Sequence, residues 1–232
     1  MIKNKTFLIT GHTSGLGKSL NRILIKNNNK IIGISRSQNK IKNYIDIKVD
    51  FSNLKLLKKK LDKLKNINKI DFVILNAGVL GELNVFSNIN IKKFEEILNI
   101  NFLSNKIILD YFLSKKIKMK NVISISSGAA LNPKYAWGSY CISKAATKMM
   151  IETYREENKS VNFFNLAPGL IKTKMQKKIF NTKKNYSSLK KFKLLYKKNL
   201  MDTPDEVALK VIKFLSEINK FKDRPYVDLR NG

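Results

Sequence analysis

The chain has 232 residues, 43% of them hydrophobic, which is enough for one domain with a full core and no covalent staple. Its 46 Lys plus Arg against 17 Asp plus Glu give a net charge of +29, a field that draws nucleic acid, anionic membrane or acidic partners. The single cysteine, Cys141, excludes an intramolecular disulfide and fits a reducing compartment, and no apolar run approaches the ~18 residues of a membrane span.

The basic residues are nearly all lysine, with arginine only at Arg22, Arg36, Arg155, Arg224 and Arg230. Specific readout of phosphates and bases favours arginine. Lysine is spread over the whole chain together with Asn and Ile, which reads as compositional drift and argues against a dedicated nucleic-acid surface. Acidic substrates or partners stay open. Met1-Ile2-Lys3-Asn4-Lys5 leads straight into Phe7-Leu8-Ile9, too short for a signal segment, so a soluble, cytoplasmic protein without membrane association is expected.

Residues 5–10 read as a short buried strand, followed by Gly11-His12-Thr13-Ser14-Gly15-Leu16-Gly17 and a helix from Lys18 to about Lys26. Strand, glycine loop and helix together present backbone N–H groups and a helix N-terminus to a pyrophosphate. The first gap between glycines is longer than in Gly-x-Gly-x-x-Gly, which makes a wider loop with Thr13 and Ser14 as hydroxyl donors. His12, the only histidine, has no second ligand beside it in the sequence and reads as a solvated loop residue; no metal is expected.

Lys30–Ser35 looks like a second strand, ending in Ser35-Arg36-Ser37. In a dinucleotide fold this strand end meets the adenosine ribose, where an acid would bind the 2′-hydroxyl. Arg36 between two serines instead offers a clamp for a 2′-phosphate, which favours NADP(H) and leaves NAD(H) possible. Ile45–Asp50 alternates as a third strand, Leu54–Leu64 is an amphipathic Lys-rich helix, and Ile70–Leu75 is a nearly continuous apolar strand ending in Asn76-Ala77-Gly78. A long helix from Ile91 to Ser114 carries Asn101, and Asn121–Ser126 forms a fifth strand before Ser127-Gly128.

The next helix, to about Glu157, puts Tyr140 and Lys144 one turn apart on a shared face. An ammonium there makes a phenol a better acid and suits proton transfer near neutral pH. Val161–Leu166 is a sixth strand, followed by Ala167-Pro168-Gly169. Residues 170–199 read as a mobile, partly helical, Lys-rich flap. A helix capped by Thr203 with Pro204 at its first turn follows, and Pro225–Leu229 supplies an edge strand. The alternation predicts one α/β domain over 1–232, a Rossmann-like doubly wound parallel sheet flanked by helices.

In this order the motifs Thr10-Gly-x-x-x-Gly-x-Gly17, Asp50, Asn76-Ala77-Gly78, Asn101, Ser127, Tyr140-x-x-x-Lys144 and Pro168-Gly169 with Thr173 resemble the short-chain dehydrogenase/reductase family over essentially the whole chain. Leu75 departs from the family's Asn-Asn-Ala-Gly turn, and Ser126-Ser127 offers two candidate serines, of which the family's usual offset to the tyrosine selects Ser127. The resemblance implies Tyr140 as proton donor and acceptor, Lys144 as the group that lowers its pKa and binds the nicotinamide ribose, Ser127 as carbonyl hydrogen-bond donor and Asn101 as anchor of a proton-relay water. It also implies cofactor contacts at Gly11, Thr13, Ser14, Gly15, Leu16, Gly17, Ser35, Arg36, Asp50, Asn76, Ala77, Gly78, Tyr140, Lys144, Pro168, Gly169 and Thr173. The implied activity is NAD(P)-dependent hydride transfer to or from a small carbonyl or alcohol substrate, in a homodimer or homotetramer built through the helices at 91–114 and 139–157. Ala129, Leu131, Trp137, Leu170 and Met175 are candidate pocket residues, and the Lys-rich flap suggests a phosphorylated or carrier-bound acyl substrate. A catalytically silent dinucleotide sensor or nucleic-acid-binding protein is the alternative reading, although such a protein has no need of the tyrosine. A sugar-nucleotide epimerase has too little room in the roughly sixty residues after Gly169.

Overall fold

The computed structural model describes residues 2–38 and 44–230 of the domain expected over 1–232. Its strands are β1 (Thr6–Thr10), β2 (Lys30–Ser35), β3 (Tyr44–Lys48), β4 (Lys69–Leu75), β5 (Lys118–Ile125), β6 (Asn162–Ala167) and β7 (Tyr226–Asp228). They form one parallel sheet of order β3-β2-β1-β4-β5-β6-β7. The chain moves outward from β1 to β3 and then returns to pair β4 with β1, so a crevice opens at the carboxyl ends of β1 and β4, where doubly wound sheets bind ligands.

The inner strands are apolar toward both faces because helices cover both. On one face α1 (Gly15–Lys26) and α8 (Pro204–Ser216) bury Leu16, Leu20, Leu24, Val207 and Val211 against Phe7, Ile9 and Ile74. On the other, α2 (Leu54–Leu61), α4 (Ser104–Ser114) and α5 (Gly138–Glu157) bury Leu57, Leu61, Ile108, Phe112 and Ile151 against Leu8, Val73 and Val122. α8 opens with the expected Thr203 cap, completed by Glu206 into a capping box.

Three elements differ from expectation. α1 begins at Gly15 rather than Lys18, because the second half of the glycine loop is already its first turn. The long helix is interrupted: α3 (Ile91–Leu98) joins α4 through a π turn at Asn99–Leu103, the wide turn that carries Asn101. The flap is two helices, α6 (Lys174–Asn181) and α7 (Ser187–Lys197), tied to the segments that follow β4 and β5. Two of its lysines are tied to backbone carbonyls. Lys178 Nζ donates to Gly81 O (3.0 Å) and Lys184 Nζ to Leu83 O (2.6 Å). Ser188 Oγ donates to Tyr135 O (2.7 Å), and the Phe192 ring lies 5.0 Å from Trp137.

His12 is the clearest correction. It is 0% exposed, turned under the glycine loop toward β2 and β3 rather than out to solvent. Gly33 of β2 makes the space, since a Cβ there would overlap Tyr44 Oη and the His12 ring. Asp46 Oδ1 stands 3.5 Å from Nε2 and the Tyr44 ring 5.4 Å from the imidazole. Burial pushes the imidazole below its ordinary value of 6.5, with Asp46 opposing. Below about 6.5 the unfolded chain therefore takes up a proton that the folded chain resists, and stability falls as pH falls. Thermal melts between pH 7.5 and 5.5 should show this loss in the wild type and a smaller one in His12→Asn; equal losses in both would place the acid sensitivity elsewhere.

Candidate active site

The site follows from where the strands end. At the carboxyl end of β1, Thr10 Oγ1 accepts from the backbone N–H groups of both Asn76 and Ala77, at 2.9 Å each. Asn76 Nδ2 returns a bond to Thr10 O (2.9 Å), so the Asn76-Ala77-Gly78 turn is tied to the glycine loop. Gly15 holds φ +51°, a left-handed conformation that side chains disfavour, where the loop turns into α1. Gly17 allows the helix to sit against the loop, since a Cβ there would overlap Gly11 O.

Asn101, carried inward by the π turn, is 0% exposed and fully engaged. Its Oδ1 accepts from Val79 N (2.8 Å), and its Nδ2 donates to Val79 O and Ser143 Oγ (2.9 Å each). Its backbone oxygen accepts from Thr147 Oγ1 (2.9 Å) and Asn105 Nδ2 (2.8 Å). These bonds clamp the turn after β4 to α5. Val79, Ser143 and Thr147 are partners that sequence reasoning missed, because nothing local marks them.

Tyr140 and Lys144 face inward from α5, both under 9% exposed. Lys144 Nζ donates to Ile125 O at the end of β5 (2.7 Å) and lies 5.9 Å from the centre of the Tyr140 ring. Gly78 is the floor beneath both site helices: a Cβ there would stand 3.4 Å from Asn101 Oδ1 and 3.6 Å from Lys144 Nζ. The surroundings also separate the two serines. Ser127 acts on the Tyr140 hydroxyl and lowers its pKa, whereas Ser126, one residue back on the chain, acts on Tyr226 instead.

The electrostatics run against the simple expectation for the pair. Burial pushes the Tyr140 phenol up to about 12, the Ser127 hydrogen bond offsetting only part of this. Burial also lowers the Lys144 ammonium to about 8. Lys144 spends its short contact on Ile125 O, so it does not pull the phenol below its ordinary value. At neutral pH the pair is a protonated phenol beside a cation, the form that donates a proton.

These groups share one cavity of about 1500 Å³, running from Ser35, Arg36 and Asp50 past Gly11, Thr13, Ser14, Gly15, Leu16, Asn76, Ala77 and Gly78 to Ser127, Tyr140, Lys144, Pro168, Gly169 and Thr173. Every predicted site residue lines it except Gly17, which packs behind, and Asn101, which stands beneath Gly78. At one end Arg36 attracts Asp50, whose carboxyl burial would raise but Ser52 and Arg36 together lower. Thr13 Oγ1 and Ser35 Oγ lie 3.3 Å apart across the loop. At the other end Trp137, Leu170, Met175 and Phe192 form the wall, whereas Leu131 is 51% exposed and Ala129 packs into the small apolar cluster beside Tyr140.

The donor set fits a dinucleotide. α1 starts with no side-chain cap and no acid in its first turn, so its first N–H groups are available to a pyrophosphate. Bare glycine backbone lines the approach, Arg36 lines the cavity just past the end of β2, and the volume exceeds the ~300–1,000 Å³ of a single small-ligand pocket. Among the described residues no group of three or more His, Cys, Asp or Glu side chains comes together to hold a metal, and no helix is long and apolar enough to cross a membrane.

Comparison with known proteins agrees with this architecture. A family model described as short chain dehydrogenase matches residues 5–184. The benzil reductase ((S)-benzoin forming) of Bacillus cereus is 31% identical, over 92% of this chain and 94% of the relative. A 3-oxoacyl-[acyl-carrier-protein] reductase of Rickettsia typhi is 28% identical, over 89% and 87%. The crystal structure of a short-chain dehydrogenase/reductase from Saccharomyces cerevisiae superposes with a TM-score of 0.81 at 27% identity, covering 91% of this chain and 90% of that one.

Proposed function

The chain belongs to the short-chain dehydrogenase family, as an oxidoreductase of that family, and from this premise we propose that it is an NADPH-preferring carbonyl reductase with Tyr140 as its proton donor. The observation that carries the reading is the buried, protonated phenol of Tyr140, lining the same cavity as Ser127 and Lys144 where the dinucleotide end meets the apolar wall. A bound nicotinamide supplies the hydride. The protein's own groups do the rest. Ser127 and Tyr140 hold the substrate oxygen and fix which face of the carbonyl is presented. As the C=O bond is reduced to an alcohol, the Tyr140 Oη proton passes to that oxygen, and the Lys144 charge beside it stabilises the phenolate left behind. Asn101 positions α5 and the Gly78 floor, so that Lys144 and Tyr140 keep their spacing.

The relatives act on a diketone in one case and on a carrier-bound 3-oxoacyl group in the other, both by carbonyl reduction. Lys178 and Lys184 are already engaged as lid fasteners, which weakens the Lys-rich flap as a docking surface for an acyl carrier. A homodimer or homotetramer through α4 and α5 accords with Ile142 and Met149, exposed by 40% and 61% on α5.

The test is a panel of ketones, diones and oxo acids run with both cofactors. Carbonyl-dependent NADPH oxidation is expected, faster than with NADH; no turnover across the panel would sink the reading. Arg36→Asp should reverse the cofactor preference. Loss of the charge-assisted phosphate contact costs about 2 kcal/mol, or roughly thirtyfold in kcat/KM for NADPH, with NADH little changed. An unaltered ratio would remove Arg36 from cofactor choice.

A further inference from the structure

Resting on that reading, we propose that Arg230 is a substrate anchor, which makes the side of the pocket next to Ser127 and Gly128 a subsite for a carboxylate carried next to the reacting carbonyl: the preferred substrate class is an oxo acid.

Arg230 follows β7 and lines the same cavity as Ser127 and Tyr140. It lies over bare backbone. A Cβ on Gly128, the residue after Ser127, would stand 3.9 Å from Arg230 Nη2. A Cβ on Gly169 would stand 3.2 Å from Cγ and 3.6 Å from Cδ. The guanidinium therefore lies between the segment that holds the substrate oxygen and the Pro168-Gly169 turn.

Its orientation is fixed by Asp228. Oδ1 accepts from Arg230 Nε (2.9 Å) and from Arg230 N (3.0 Å), and Oδ2 accepts from Nη2. A guanidinium has five N–H donors. Asp228 takes the Nε edge, which leaves donors on Nη1 and Nη2 in the fork geometry that matches a carboxylate. An exposed ion pair with no other duty contributes at most about 1 kcal/mol, and it needs neither a cavity nor a pair of glycines beneath it.

Charge points the same way. Lys134, Lys174 and Lys191 also line this cavity; of its acidic residues Asp50, Glu82 and Glu96, Asp50 lies by Arg36 and Glu82 is paired with Lys93 at 2.9 Å. Only five of the 46 basic residues are arginine, and two of those five, Arg36 and Arg230, line this one cavity.

Trp137 is the only tryptophan and lines the pocket, so its fluorescence reads ligand binding without turnover. With the enzyme saturated in NADP⁺, phenylglyoxylate should bind at least about tenfold tighter than its methyl ester, the gain of one charge-assisted pair. Arg230→Gln should abolish that preference and leave the ester's Kd unchanged, and Arg230→Lys, which keeps the charge without the fork, should restore part of it. With NADPH, the loss in Arg230→Gln should appear in KM for the acid and hardly in kcat. Equal binding of acid and ester by the wild type, or equal losses on both in Arg230→Gln, would overturn the anchor. Failure of the wild type to oxidise NADPH with either compound would overturn the reductase reading instead, and the fluorescence titration would still decide on Arg230. A melt of each variant separates loss of fold from loss of the contact, and Arg230→Lys serves if Arg230→Gln is unstable.

Discussion

Tyr140→Phe should lower kcat for carbonyl reduction by about 10²–10⁴ while the protein still folds and binds cofactor. The substitution removes one oxygen and little else. The ring stays against Trp137, which it meets edge-on at 6.0 Å, and the apolar cluster around Leu80, Leu83 and Cys141 keeps its packing. What the hydroxyl gives up is its polar contact with Ser127, and even a full neutral hydrogen bond contributes only about 1 kcal/mol to the fold. Chemically the loss is larger, because neither neighbouring group readily supplies a proton to a substrate oxygen gaining negative charge. Lys144 points its short contact at Ile125 O and Ser127 is too weak an acid. Single-turnover reduction under saturating NADPH, beside cofactor binding measured through Trp137, is the decisive comparison. A fall in kcat of less than about tenfold would mean that the proton comes from elsewhere.

Much of this arrangement was legible in the chain, for a physical reason. Parallel strands buried on both faces must be apolar throughout, so β1, β2 and β4 stand out from the Lys-rich helices around them, and the loops at their carboxyl ends carry the site. What local pattern could not show is pairing between distant residues. His12 is buried because Gly33, twenty-one positions on, leaves room for it; neither residue signals the other. The π turn at Asn99–Leu103 is hidden inside an apolar periodicity that runs on from α3 into α4. The flap lysines suggested an anionic substrate because an ammonium that bonds a backbone carbonyl and one that awaits a ligand have the same sequence. Arg230 had a signal that was available but weak: an arginine in a lysine-dominated chain, two residues after Asp228.

Lys144 is where stability and function pull apart, and that makes the second expected result a strong one. Burial lowers its ammonium from 10.5 to about 8, so holding the charge at neutral pH costs the fold roughly 3 kcal/mol. The sign follows from proton binding. Between about 8 and 10.5 the unfolded chain binds the proton and the folded chain releases it, so this penalty is full below about 8 and declines as pH rises through that window. Lys144→Met removes the charge and keeps the length. It should therefore melt no lower than the wild type at pH 7 while kcat/KM falls by about 10² or more, since the phenolate left on Tyr140 loses its neighbouring cation. The pH profile gives the same residue a second signature. Tyr140 stays protonated up to about 12, so the alkaline limb of reduction belongs to Lys144 and should begin near 8, falling about tenfold per pH unit. In Lys144→Met the residual rate should be flat from pH 7 to 9. A variant that keeps the wild-type limb would assign that titration to another group, and one that melts as far below the wild type as its activity falls would make Lys144 a structural residue. A charge retained in the core at the expense of the fold, beside the Tyr140 phenol, is what a proton-donating site requires and what packing alone would select against.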